Sequence, residues 1–275
     1  MCGVQPGPER LDYAPEPLSR RQLLAMAGTA SLAVAVSACS PSAAPTATVS
    51  SSAPAGLPEA IGAGSGPAAS AASTTPAPSG VTGTILCRDA WGARPARAGG
   101  RPQTLSRMTI HHTAEMLGAN SNAPARLRQH QQYHQDSRGW IDIAYHISVD
   151  RNGNIYELRR PELVGDTATN YDPAGHFLVV CEGNFDEEAV TDQQLHGAAL
   201  AFAWGAQTFG ISTDTLAGHR DFAATACPGT NLYARVTSGE LKHRTDALLT
   251  TGPVDLKTTC GPEAAAIVAA IEAGH

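Results

Sequence analysis

Long apolar runs are missing from this chain. No stretch supplies the ~18–20 clean apolar residues of a membrane-spanning helix, which excludes a multi-pass membrane protein. Excess positive charge is missing as well: 19 Lys and Arg stand against 25 Asp and Glu, a net charge of −6. A protein held on nucleic acid by phosphate contacts needs the opposite balance. Cysteine is scarce, six in 275 residues, so disulfides do not replace a core here. No internal repeat is visible. What is present is apolar content of 42%, enough for a real core, in a length that at ~150 residues per domain gives one or two domains.

The N-terminal region is an address followed by a spacer. Ser19-Arg20-Arg21-Gln22 precedes an apolar stretch from Leu23 to Ala38 that closes on Val36-Ser37-Ala38-Cys39. Paired arginines, a short apolar region and small residues before a boundary are the organisation of an export signal, here of the twin-arginine type, over residues 1–38. Val36 to Cys39 resembles a bacterial lipobox, which implies lipidation of Cys39 and a membrane-anchored protein facing the cell wall. A cleaved signal with an unmodified Cys39 implies a secreted protein instead, and an uncleaved membrane anchor is the third reading. Residues 39–80 are almost wholly Ala, Ser, Thr, Pro and Gly, with Glu59 the only charge. Such a segment cannot bury enough surface to offset its ordering entropy and is expected to be a disordered tether. One domain is then expected over 81–275, with its core at about 87–250.

Within that domain strands and helices alternate. Arg107–His112 reads as a strand whose parity puts Met108, Ile110 and His112 on one face and Thr109 and His111 on the other. Asn122–Ser137 reads as a helix with Pro124 in its first turn. Ile141–Val149 and Ile155–Leu158 read as strands joined through Asp150-Arg151-Asn152-Gly153, and Asn-Gly is a strong hairpin signal. The apolar run Phe177–Cys181 reads as a buried strand. Thr191 with Gln194 forms a capping box for an Ala-rich helix reaching Phe209. Ile211–Ala217 returns toward a short strand, Ser238–Leu249 reads as a last core helix, and Pro262–Ala273 as a terminal helix without evident packing. The pattern is α/β, with helices against a central mixed sheet.

Three separated residues carry the chemistry. His219 follows a strand and Cys227 comes eight residues later, so one loop can bring both side chains to a point. His111 ends another strand and can supply a third group. Two imidazoles and a thiolate suit zinc, and three protein ligands leave a fourth position for water, as in catalytic sites. Taken singly, each residue has a plainer reading: His111 as a surface histidine, Cys227 as a buried thiol, a disulfide half or a nucleophile paired with His219, and Tyr145 as strand packing.

Several blocks, in order, resemble one family. They are Ile85-Leu86-Cys87-Arg88-Asp89-Ala90-Trp91-Gly92-Ala93-Arg94, Thr109-Ile110-His111-His112-Thr113-Ala114, Arg138-Gly139-Trp140-Ile141-Asp142-Ile143-Ala144-Tyr145-His146, and Gly218-His219-Arg220-Asp221 through Cys227-Pro228-Gly229. From about Cys87 to Leu249 the chain resembles the zinc amidases that include phage lysozyme-type N-acetylmuramoyl-L-alanine amidases and peptidoglycan recognition proteins. The resemblance implies that fold, in a single amidase domain that acts as a monomer. It also implies Zn2+ held by His111, His219 and Cys227, with Tyr145 as catalytic tyrosine and Thr225 where many members place a lysine or threonine beside the metal. The implied substrate is peptidoglycan, cut between N-acetylmuramic acid and L-alanine; nucleic acid is not a partner, and the membrane enters only through the lipid anchor. A non-catalytic peptidoglycan-binding module and a cysteine peptidase on the stem peptide are the alternatives. Loss of the cysteine ligand typically marks the binding modules, and Cys227 is present.

Some features depart from the family pattern. Where many members carry a Gly-x-His stretch, this chain has Gly165-Asp166-Thr167, so the substrate contact is either lost or replaced by Thr167. The glutamate that cytoplasmic relatives use on the buried strand corresponds to Val180, and Glu182 is assigned no role. His130 and His134, four apart on a helix, lack the Glu of a metalloprotease pattern because Gln131 follows His130. His134, with Tyr133, is expected to line the groove at most. Asp221 is expected either to orient a ligand histidine or to form a surface ion pair. His112 is expected in core packing or support, and His176, His196 and His243 in solvent. Cys181 reads as a buried thiol, while Cys87 and Cys260 sit where a staple between the domain ends is conceivable.

Overall fold

Hydrophobic alternation across seven short strands builds one mixed sheet. A computed structural model describes residues 80–275; the expected signal, the lipidation at Cys39 and the tether lie outside the described residues. The strands are β1 (Val81–Leu86), β2 (Arg107–His112), β3 (Ile147–Val149), β4 (Ile155–Glu157), β5 (His176–Cys181), β6 (Ala217–Gly218) and β7 (Val254–Thr259). Their order is β6-β2-β5-β3-β4-β1-β7. All neighbours are parallel except the β3–β4 hairpin. The sheet is therefore two parallel halves of opposite direction meeting at that hairpin. The turn is closed by the Asp150 carboxylate, which accepts from the amides of Asn152 at 3.0 Å and Asn154 at 2.9 Å and from the Tyr156 hydroxyl at 2.8 Å.

Strand parity sorts side chains onto two faces. On one, Met108, Ile110, Val149, Phe177, Val179 and Cys181 pack under α2 (Asp192–Phe209) and α4 (Glu240–Thr251). Thr191 caps α2, its side chain accepting from the Gln194 amide at 3.1 Å. The Gln194 side chain does not complete the expected box; it donates instead to the carbonyls of Val149 and Glu182, tying the helix to the sheet. Gly197 permits the close approach, because a Cβ there would lie 2.8 Å from the Gly153 carbonyl oxygen and from Val149.

On the other face Leu86, Tyr156 and Val180 pack with Trp91 and Ile143 under α1 (Ala123–Gln132) and α5 (Gly261–Glu272). The expected helix over Asn122–Ser137 is α1 continued by a π-helical turn, Tyr133–Ser137, and the remaining helix is α3 (Thr230–Thr237).

Three expectations change. Ile141–His146 is not strand. Asp142 turns its carboxylate back to the Ile143 amide at 2.8 Å and to Gln131 at 2.8 Å, and the backbone reaches a regular ladder only at Ile147. The stretch without evident packing is α5, whose Ala264, Val268 and Ile271 join Trp91 and Leu127 in the second core. With β1 and β7 also contributing buried Ile85, Leu86, Val254 and Leu256, the core runs beyond 87–250. Among the described residues no helix is long and apolar enough to cross a membrane.

Candidate metal centre and groove

The parallel register of β2 and β6 puts two histidines side by side. Ile110 pairs with Gly218, so His111 and His219 are the next neighbours, and their ring centroids are 4.6 Å apart. His111 also lies in one register row with Val180 and Ser148, on the face that α1 and α5 cover only in part. His219 begins a short turn capped by Asp221, whose carboxylate accepts from the Gly218 amide at 2.7 Å. Asp221 thus holds the turn and does not touch the imidazole. The Cys227-Pro228-Gly229 corner carries the third group. Gly229 has φ +85°, and a Cβ there would meet the Phe185 backbone at 2.7 Å and His112 Nδ1 at 2.9 Å, so this corner requires glycine.

One donor atom from each of His111, His219 and Cys227 lies within 4.8 Å of the others. His111 Nδ1 is 3.6 Å from Cys227 Sγ, and the His112 amide points at the same sulfur, 3.4 Å away. Two such ligands of one tetrahedral zinc ion are about 3.6 Å apart, from the usual Zn–N and Zn–S lengths. His111 is 2% exposed and its Nε2 has no hydrogen-bond partner. Burial and neighbouring histidines push His111 well below its ordinary pKa, and burial brings His219 to about 4, so both imidazoles are neutral at pH 7 with lone pairs available. Burial pushes the Cys227 thiol up to about 12. A sulfur raised in that way becomes a thiolate when a cation sits beside it. Donor set, spacing and electrostatics therefore fit a zinc ion.

The remaining expected residues surround this cluster. The Tyr145 ring is 5.1 Å from that of His111, and burial raises its pKa, keeping the phenol protonated as a donor. Thr225 accepts from the Cys227 amide at 3.2 Å and lines the same cavity. His134 Nδ1 accepts from the Ala144 amide at 3.2 Å, with burial first among the causes that bring it to about 3; its ring lies 4.7 Å from Trp140. Thr167 Oγ1 is 2.7 Å from Thr169 Oγ1, which is in turn 2.7 Å from His219 Nε2. His112 leaves the cluster by parity and stacks on Phe185. His176, expected in solvent, is 3% exposed and bonded to Thr109 Oγ1 at 2.7 Å; His196 and His243 are exposed.

Three residues near the site were given no role by the sequence. Thr169 is bonded to a histidine of the cluster through a loop that no spacing announces. Tyr171 has a buried hydroxyl without a partner and a ring 5.1 Å from His219. Glu182, just past β5, accepts from the Ser148 hydroxyl at 2.7 Å and leaves its other oxygen unpartnered, 3.9 Å from His130 Nδ1. Burial raises Glu182 to about 8 and lowers His130 to about 4, so at pH 7 the two are a neutral acid beside a neutral imidazole and not an ion pair.

The cluster forms one wall of a cavity of about 270 Å³. A second cavity of about 410 Å³ shares Trp140, Asp166, Thr167 and Thr169 with it and continues past Arg101 and Arg159. Through these shared residues the two cavities join into one groove, with the three donors lining the smaller of them.

Residues 101–230 match the family model described as N-acetylmuramoyl-L-alanine amidase. The chain is 33% identical over 157 residues to peptidoglycan-recognition protein SC2 of Drosophila melanogaster, spanning 56% of this chain and 84% of that protein. It is 33% identical over 156 residues to a human N-acetylmuramoyl-L-alanine amidase, spanning 54% of this chain and 26% of that one. Among solved structures it is similar to human PGRP-Iβ C in complex with a glycosamyl muramyl pentapeptide, at 25% identity and a TM-score of 0.51, over 56% of this chain and 94% of that one. Likeness in sequence over most of a relative's length, joined to likeness in fold, makes this chain a member of the family of N-acetylmuramoyl-L-alanine amidases and peptidoglycan-recognition proteins.

Proposed function

We propose that the protein is a zinc-dependent amidase that hydrolyses the amide between the lactyl group of N-acetylmuramic acid and L-alanine in peptidoglycan. The observation that carries this reading is the convergence of His111, His219 and Cys227 donor atoms within 4.8 Å in the wall of an open cavity. Zinc held by these three residues supplies Lewis acidity and lowers the pKa of water toward ~7. The ligand of the human structure, a muramyl pentapeptide, is the chemistry the proposed substrate shares.

The chain's own residues divide the remaining work. The groove holds the stem peptide and glycan so that the scissile carbonyl faces the cluster. The Tyr145 phenol, kept protonated by burial, donates a hydrogen bond to the carbonyl oxygen as negative charge develops there. Thr225, on the cavity wall, offers a second hydroxyl to the same oxygen. With Nδ1 of His219 turned to the metal, its Nε2–H would donate to Thr169 Oγ1, 2.7 Å away, and so hold the ring's tautomer and orientation. The lipid on Cys39 and the spacer of residues 39–80 would deliver this chemistry from the membrane to the wall; loss of lipid labelling in Cys39→Ser checks the anchor.

Incubation of the full chain with peptidoglycan, with and without a chelator, tests the reading. New free L-alanine amino groups that vanish with chelator and return with zinc are the expected result. Binding without cleavage would make the protein a recognition module. Cuts inside the stem peptide that survive chelation would identify Cys227 as a nucleophile, and new reducing sugar ends would exclude an amidase.

A further inference from the structure

The C-terminal β7–α5 segment lies beyond the family match, which ends at residue 230, yet it supports the groove wall. Its Ala264, Val268 and Ile271 pack with Leu127 of α1, and Glu272 pairs with Arg128 at 2.6 Å. Helix α1 runs directly into the turn that carries Tyr133 and His134. What holds this segment to the domain is the parallel pairing of β7 with β1, in register from Val81↔Val254 to Leu86↔Thr259.

The next pair in that register is Cys87 and Cys260. Pairing continues to this point, since the Cys87 amide donates to the Thr259 carbonyl at 3.0 Å. Cys87 is the neighbour that does most to raise the Cys260 thiol, to about 11. In-register residues on neighbouring strands have Cα atoms about 4.8 Å apart, inside the ~4.4–6.8 Å range that a disulfide spans. We infer that Cys87 and Cys260 are a disulfide site that locks the C-terminal segment onto the first strand of the domain. Both are free thiols in this structure. The other cysteines among the described residues do not compete: Cys181 is fully buried in β5 and Cys227 belongs to the donor cluster.

The exchange needs a disulfide oxidant such as oxidised glutathione. Cys260 is exposed and Cys87 buried, which sets the order of events. The Cys260 thiolate attacks one sulfur of glutathione disulfide, forming a mixed disulfide and expelling one glutathione thiolate. The Cys87 thiolate then attacks the Cys260 sulfur and expels the second. Two protein thiols are oxidised, one glutathione disulfide is reduced to two thiols, and the protons released by the cysteines end on glutathione. The bond closes nearly the whole domain into one loop, and long loops restrict the unfolded chain most in the chain-entropy account.

The full chain, incubated with oxidised glutathione, alkylated and digested without reduction, tests this directly. Peptides containing Cys87 and Cys260 should be recovered as one cross-linked species. The oxidised protein should melt about 5–10 °C above its dithiothreitol-treated form, a difference absent from Cys260→Ser. The inference is overturned if either sulfur is recovered alkylated or joined to another cysteine, or if Cys260→Ser melts with the oxidised wild type.

Discussion

At the scale of single residues, the proposed chemistry separates groups that hold the metal from groups that face the substrate. Tyr145→Phe removes one hydroxyl and no ligand. The variant should keep its zinc by elemental analysis while turnover falls about 10²–10³-fold, the usual cost of one well-aimed donor to a developing oxyanion; equal turnover would remove Tyr145 from the mechanism. Thr169→Val removes the partner of His219 Nε2 but keeps shape, and should weaken zinc binding about 10–100-fold in a chelator competition, with Thr169→Ser restoring it. Unchanged affinity would reduce Thr169 to a loop residue. Glu182 makes a pH prediction with a definite sign. Burial raises its folded pKa to about 8, against ~4.3 unfolded. The folded state therefore holds the proton more tightly, so this contribution is complete below about pH 4.3 and is lost as pH rises through about 8. Glu182→Gln should flatten that decline and melt above wild type at pH 9; parallel melting curves across pH 5–9 would contradict it. The convergence of His111, His219 and Cys227 was legible because imidazole and thiol carry recognisable chemistry inside ordered blocks. Thr169 and Glu182 were not, since a threonine in a loop has no signature and a carboxylate after an apolar strand looks exposed until α1 covers it.

At the scale of elements, parity within β2 correctly separated His111 from His112, and a continuous apolar run identified β5. The same reasoning overextended β3, because Ile141–His146 is apolar enough for a strand while the Asp142 side chain holds its backbone out of the ladder. Strands β1 and β7 were not read, although Val254 and Leu256 alternate with Asp255 and Lys257; the edge strand β7 and its neighbour β1 show little beyond such short alternation. Helix α5 was legible as a helix but not in its packing, because an Ala-rich segment presents similar faces all round until a partner selects one. That partner is the Trp91–Leu127 cluster. Val268→Asp would bury an unpaired carboxylate there and should cost roughly 3 kcal/mol or more, read as a lower denaturation midpoint. A midpoint equal to wild type would mean that α5 is not seated on α1.

At the scale of the whole molecule, the proposed metal joins chain segments 116 residues apart, His111 and Cys227. An ion bound only by the folded state stabilises it by mass action, about 2.7 kcal/mol at one hundred times its Kd. Chelation should therefore lower the melting temperature by roughly 5–10 °C, and zinc should restore it; indifference to both would argue against a metal at this place. The mixed sheet also concentrates function at one end. Strands β2 and β6 run parallel, so both histidines leave the sheet together, while the half beyond the hairpin gives its face to α5.

Trp140 borders both halves of the groove, with the His134 ring 4.7 Å away on one side and the Arg138 guanidinium 5.2 Å from its own ring centroid. Trp91 is sealed in the second core and Trp204 packs against the first, so neither meets what enters the groove. The molecule thus carries its own optical reporter: a muropeptide settling beside Trp140 would strip water from one indole and leave the other two as a constant background, making occupancy visible in ultraviolet emission without a label.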